Sequence, residues 1–223
     1  MSAPVNTDAM SNPGDRVHAP MPGAEALAEP MRSRWSPSIF DDRHVLGRDE
    51  LIRILRAGQW SPSSGNLQPW AFVMAERGGP SHVALVEHLS RGNAGWVPRA
   101  AVVIITAARV AADPADPDGS RVKAAALSYY DLGQAAAHMT LQARSMGLHA
   151  HQFGGFDKDA VARDLGVPEH YRVVSGIAIG RRGTAVEVDD RDREREQRER
   201  HRRPLQDFVH GAAWGSPWGE EAR

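Results

Sequence analysis

The chain reads as an α+β protein, and three observations carry that reading. Residues 49–59 (DELIRILRAGQ) set Leu51, Ile52, Ile54 and Leu55 at helical spacing behind an acidic first turn. Residues 121–146 make a second, longer helical stretch, closed by Gly147 in the position where a helix end favours glycine. Four short apolar runs, AFVMA (71–75), AAVVIITA (100–107), LHAHQF (148–153) and YRVVSGIAIG (171–180), have the length and β-branched content of strands.

At 223 residues, 41% of them hydrophobic, the chain can bury the core of one domain. A net charge of −1 gives no global attraction to nucleic acid or to a membrane surface. The absence of cysteine excludes disulfides, thiolate nucleophiles and iron–sulfur ligation. No apolar run reaches the roughly 18 to 20 residues of a membrane span, and the N-terminus lacks an apolar secretion segment, so a cytoplasmic protein is expected.

Residues 1–30, rich in Pro, Ala, Gly and Met, are expected to be disordered or to drape over the surface. Residues 31–210 are the expected folded domain, and 211–223 a tail anchored by Trp214 and Trp218. In MRSRWSPSIF (31–40), Pro37 holds the residue before it extended. Arg32 and Arg34 beside Ser36 suit a solvated surface or an anion, since guanidinium forks match phosphate oxygens and a hydroxyl adds a donor.

The stretch SPSSGNLQPW (61–70) joins helix to strand with turn residues, yet Trp60, Leu67 and Trp70 pin it with apolar surface. Such a loop is either an ordinary surface turn or a holder for a flat ligand with polar edges. Ser81 is placed to cap a helix over 81–89, broken at Arg91, Gly92 and Asn93, where Asn93 either ends the helix or meets a ligand. Residues 113–119 (DPADPDG) are a surface loop whose proline spacing fits no calcium loop.

The 121–146 helix has apolar residues on nearly every face, which predicts burial all round. Its small-residue stretch LGQAAAH (132–138) would let a second backbone come close, so the helix is expected to pack on its copy in a homodimer. His149 and His151 share a strand face; lacking a third ligand, they are expected to be hydrogen-bonded and no metal is expected. Gly154 and Gly155 at the strand end would let a flat ligand reach the main chain. Asp157 is placed to cap a helix over 158–165. Residues 181–203 read as a solvated helix or disordered bridge with i,i+4 pairs, and their alternating signs make no nucleic-acid stripe.

Taken in order, RWSPSIF (34–40), SPSSGNLQPW (61–70), GGFD (154–157) and RRPL (202–205) resemble the nitroreductase family of FMN-dependent flavoproteins. Members open with an RxSxRxF-type segment and continue with PSxxNxQPW, and the resemblance runs from about Arg32 to about Trp218. It implies a nitroreductase-like fold with a central mixed, mainly antiparallel sheet flanked by helices, and a tail exchanged within an intertwined homodimer. Residues 205–209 (LQDFV) would add a strand to the neighbour's sheet.

The same resemblance implies that Arg34 and Ser36 hold the FMN phosphate, with Trp35 contributing backbone and Arg202 and Arg203 further cations. Pro62, Ser63, Ser64 and Asn66 would lie against the flavin from the partner subunit, with Gln68 facing the site or fixing the loop. Gly154 and Gly155 would present N–H groups to flavin N5. Ser38 departs from the pattern: the family more usually has Arg or Lys there, near the pyrimidine edge, and Arg43 or Arg91 could take over.

The implied activity is an FMN-dependent, ping-pong transfer of hydride from NAD(P)H to a nitroaromatic, quinone or activated alkene, with no catalytic side chain required. A flavin-sequestering protein with little turnover, or a family variant with dehalogenase or dehydrogenase chemistry, stays open. Tyr129, Tyr130 and Trp96 are equally suited to face substrate or to sit in the core. No GxGxxG fingerprint opens a βαβ unit, in keeping with a nicotinamide that visits briefly.

Overall fold

The computed structural model describes residues 21–117, 121–184, 189–198 and 200–218. Helix α1 (Arg48–Gln59) starts where the Glu50 carboxylate accepts the Gly47 N–H at 2.9 Å. Strand β1 (Trp70–Glu76) follows, then α2 (Pro80–Glu87), β2 (Val102–Arg109), α3 (Ala125–Ser145), β3 (His149–Phe153), α4 (Lys158–Asp164), β4 (Tyr171–Gly180) and α5 (Asp190–Gln197). Helix α2 is entered from Gly79 with Pro80 at its first position, so Ser81 is not its cap: proline's fixed φ starts the helix instead. Asp157 does cap α4, accepting the N–H groups of Asp159 and Ala160 at 3.1 and 2.9 Å.

The four strands form one sheet in the order β1-β2-β4-β3, every pair antiparallel. The parallel member that would make the sheet mixed is absent among the described residues. Residues 205–209, expected to add a strand to a neighbour's sheet, hold a 3₁₀ turn at Leu205–Asp207 in the single chain.

Strand β2 is buried on both faces, as its unbroken apolar run requires. Val103 and Ile105 point to one side, where they meet Leu85, Trp96, Phe153, Phe156 and Val161. Val102 and Ile104 point to the other, against Leu51 and Ile54 of α1 and Ala136 and Met139 of α3. Helices therefore cover both faces of the sheet. Helix α1 crosses α3 closely at Gly58, where a Cβ would come to 3.0 Å from the Met139 side chain.

The expected all-round burial of α3 is not what one chain shows. Ser128, Asp131, Leu132, Ala135, Ala136, Met139, Thr140 and Ala143 are buried along one stripe. Leu127, Tyr129, Tyr130, Gly133 and Ala137 face outward. The helix is too apolar for one sheet face to cover, and the surplus lies on the surface.

His44, His82 and His151 all have pKa values below that of a free imidazole, in each case chiefly because burial disfavours the charged ring. The unfolded chain then takes up protons that the native state refuses, so stability is present above the unfolded value of about 6.5 and is lost as pH falls below it. The urea midpoint is expected to drop between pH 7.5 and pH 5. His82→Asn should flatten that dependence if the variant folds.

Candidate functional site

The segment after Arg32 lies against the β3 edge of the sheet. Arg34 and Ser36, with α3 residues Thr140 and Leu141 and strand residues His151 and Gln152, line a cleft of about 460 Å³. Arg34 Nη1 donates to Ser36 Oγ at 3.0 Å. Its pKa is lowered from the ordinary arginine value, first by burial and then by the Arg202 charge.

Arg200 lies 3.3 Å over the Trp35 ring and donates from Nη1 to the Arg34 carbonyl at 3.1 Å. Burial, then the charges of Arg34 and Arg202, push its pKa down to about 10. Among the described residues, no carboxylate pairs with Arg34, Arg200 or Arg202. Three guanidinium groups close enough to disfavour one another's charge make a site suited to an anion with several oxygens.

Arg203 has its guanidinium 5.5 Å from the Phe208 ring centroid. A further cation, Arg200, joins Arg34 and Arg202, and the sequence reading missed it. Its position two residues before Arg202 was the available signal, and the uniform charge of 181–203 concealed it.

That charged run is not a bare solvated bridge. Within it α5 buries Asp192 and Glu196, and the pairs Arg193–Asp190 and Arg195–Asp192 are spaced i,i+3. Glu196 accepts from Trp35 Nε1 at 3.2 Å and from the Ser38 N–H, and pairs with Arg182 at 2.8 Å. The charge that reaches the neighbourhood of Ser38 is thus the Glu196–Arg182 pair; Arg43 and Arg91 are exposed.

No group of three or more His, Cys, Asp or Glu side chains placed to hold a metal ion occurs among the described residues. His151 Nδ1 donates to the Pro37 carbonyl at 2.8 Å, and its ring stacks on Trp96 at 4.1 Å. His149 lies within 3.3 Å of Arg144. Trp96 is a core residue, whereas Tyr129 and Tyr130 are exposed.

At the end of β3 the ladder stops with the Phe153–Gly176 pair, and the chain continues into Gly154 and Gly155. The two glycines differ. A Cβ on Gly154 would meet nothing within 4 Å, while one on Gly155 would collide at 2.7 Å with Asn93 Nδ2 and Ser90 Oγ. The space on the Cβ side is thus open at Gly154 and filled at Gly155. The Gly155 carbonyl is held by the Ser90 N–H and Asn93 Nδ2, each at 3.0 Å, which fixes the strand end.

The loop at 61–70 lies at the opposite edge, where it leads into β1. Gly65, Asn66 and Gln68 adopt positive φ of 62°, 56° and 48°. Ser61 Oγ bonds His138 Nδ1 at 3.0 Å, and the Ser64 N–H donates to the buried Asp131 at 3.0 Å. Ser63 Oγ accepts the Gln68 N–H, and the Gln68 amide turns back onto Asn66, so Gln68 fixes the loop. Pro62 and Asn66 are exposed. Trp60 is 83% exposed and does not pin the loop as expected. With β2 and β4 between the two edges, one chain does not bring Pro62, Ser63, Ser64 and Asn66 together with Gly154 and Gly155.

An antiparallel sheet covered on both faces by helices, with a cleft beside β3 that Arg34 helps to line, defines an α+β protein. Residues 31–181 match the model of the nitroreductase family, and the chain belongs to that family. It is 30% identical over 154 residues to a 15.4 kDa protein in the ask 5′ region of Mycolicibacterium smegmatis, covering 66% of this chain and 98% of that protein. It is 26% identical over 185 residues to the CLA biosynthesis enone reductase of Lactiplantibacillus plantarum, covering 70% and 85%. The crystal structure of an oxidoreductase containing FMN superposes with a TM-score of 0.73 at 33% identity, covering 82% of this chain and 90% of that one.

Proposed function

We propose that the protein is an FMN-dependent oxidoreductase that draws on NAD(P)H, acts on a nitroaromatic, quinone or activated alkene, and works as a cytoplasmic homodimer. The observation that carries this reading is the convergence of Arg34, Arg200 and Arg202, without a carboxylate partner among the described residues, at the sheet edge that ends in the open Gly154. These residues fit FMN: the guanidinium groups and Ser36 would hold its phosphate, and the Gly154 main chain would meet its ring. When bound, FMN supplies the hydride-accepting and hydride-donating centre, so no side-chain nucleophile is needed.

Each residue then has a limited task. Arg34 and Arg200 would neutralise the phosphate and hold that end of the cofactor. Gly154 presents its N–H where no Cβ intrudes, and Gly155, held by Ser90 and Asn93, keeps that N–H in place. The loop bearing Pro62, Ser63, Ser64 and Asn66 would come from the second subunit, because its own chain holds it at the far edge.

The dimer is supported by the outward face of α3 and by Trp60, Trp214 and Trp218, large apolar side chains left in water by one chain. Trp214 and Trp218, expected to anchor the tail, are 91% and 70% exposed, and Trp214 meets the His210 ring at 4.4 Å. No helix among the described residues is long and apolar enough to cross a membrane.

The test is steady-state kinetics of the flavin-loaded protein with NADH or NADPH and menadione or a nitrofuran. Parallel initial-rate lines are expected. A preparation that binds FMN but oxidises neither nicotinamide would leave a flavin-binding protein and not an enzyme of this type.

A further inference from the structure

Helix α5 has the sequence DRDREREQ, which offers no apolar side chain to dock it. It docks through carboxylates. Asp192 pairs with Arg195, whose Nη1 donates to the Gly92 carbonyl at 3.1 Å. Glu196 reaches further in and meets three donors at once: Trp35 Nε1 at 3.2 Å, the Ser38 N–H, and Arg182 at 2.8 Å.

A buried carboxylate is costly unless its lone pairs are filled, and these three partners fill them in the native arrangement. The same contacts fix Trp35, whose ring face carries Arg200, and Arg200 in turn holds the Arg34 carbonyl. One chain of contacts thus runs from the linker helix to the arginine group. Nothing in the chemistry of electron transfer requires Glu196, yet it holds the Trp35 ring on which Arg200 rests, and Arg200 donates besides to Met21 Sδ at 3.0 Å.

We propose that Glu196 is a positioning residue that couples the docking of α5 to binding of the phosphate end of the cofactor. With α5 seated, Trp35 is fixed and Arg200 is held beside Arg34 and Arg202. With α5 released, Arg200 and Arg202 leave with the linker, and Arg34 remains alone. The coupling is reciprocal: an anion that relieves the repulsion among the three arginines favours the seated helix. The chemistry recognised is a phosphate monoester on a flavin. Riboflavin, which has the ring and ribityl chain but no phosphate, should not drive docking. This inference rests on the FMN reading above.

The experiment uses the full chain freed of flavin, titrated with FMN and with riboflavin by fluorescence quenching, alongside trypsin cleavage after arginines 191–202. Wild type should bind FMN more tightly than riboflavin, and FMN alone should slow cleavage. Glu196→Gln should cut the FMN-over-riboflavin preference about tenfold and abolish the protection, while leaving riboflavin affinity within about twofold, the scale of one charge-assisted contact. Unchanged riboflavin binding reports that the variant is folded. Arg182→Met, which removes the partner of Glu196 from the other side, should shift the ratio in the same direction.

Retention of both the preference and the protection in Glu196→Gln would overturn the coupling while leaving the FMN reading intact. Equal protection of wild type by riboflavin would also overturn it. Wild type that binds neither flavin would overturn both.

Discussion

Arg34→Ala is expected to yield a folded protein that loses FMN during gel filtration. The Arg34 side chain lies at the wall of the cleft, hydrogen-bonded to Ser36, and its charge is opposed by burial and by Arg202. In the cofactor-free protein that charge is therefore a burden. Removing it should leave the melting temperature of the apo form unchanged or slightly higher. In the FMN-bound form the balance reverses, because losing one member of a desolvated guanidinium–phosphate pair costs about 2 to 5 kcal/mol, or roughly 30- to 5,000-fold in affinity. Riboflavin affinity should change far less. Arg34→Lys should recover part of the loss, since a point charge replaces the fork but cannot bond two oxygens in one plane. Stoichiometric retention of FMN by Arg34→Ala would remove Arg34 from the site. The opposite signs expected for apo stability and FMN affinity separate a ligand-binding role from a packing role.

How much of this was legible in the residues depends on the kind of signal. The strands were read well because each is a continuous apolar run, and AAVVIITA can hardly be anything but a strand covered on both faces. The turn at Gly147 and the cap at Asp157 are local chemistry and were equally visible. What stayed hidden was decided by distant partners. Glu196 and Asp192 look like their solvated neighbours, and only the folded chain shows that Trp35, Ser38 and Arg182 come to meet Glu196. Similarly, Gly154 and Gly155 are identical in sequence, and the difference between them is set by Ser90 and Asn93, more than sixty positions earlier. The burial of α3 was overestimated because hydrophobicity states how much surface wants cover, not whether the cover comes from the same chain.

That surplus apolar face gives the other large effect. Gly133 sits in the interior of α3 on its outward side, and a Cβ there would meet nothing within 4 Å. In a solitary chain, Gly133→Leu should therefore stabilise the protein, because glycine costs about 0.8 to 1 kcal/mol relative to a good helix former in a helix interior. If α3 packs on its copy through this face, the same substitution places a bulky side chain where two backbones must meet, and overpacking of that kind costs about 1 to 3 kcal/mol in each subunit. The variant should then sediment as a monomer at micromolar concentration. It should also be colourless, because the loop holding Pro62, Ser63, Ser64 and Asn66 can reach the Gly154 edge only from a second subunit. Sedimentation and flavin content must move together. A Gly133→Leu protein that melts higher, remains monomeric like its parent and still carries flavin would show that one chain completes the site, and with it that the 61–70 loop takes no part in holding the cofactor.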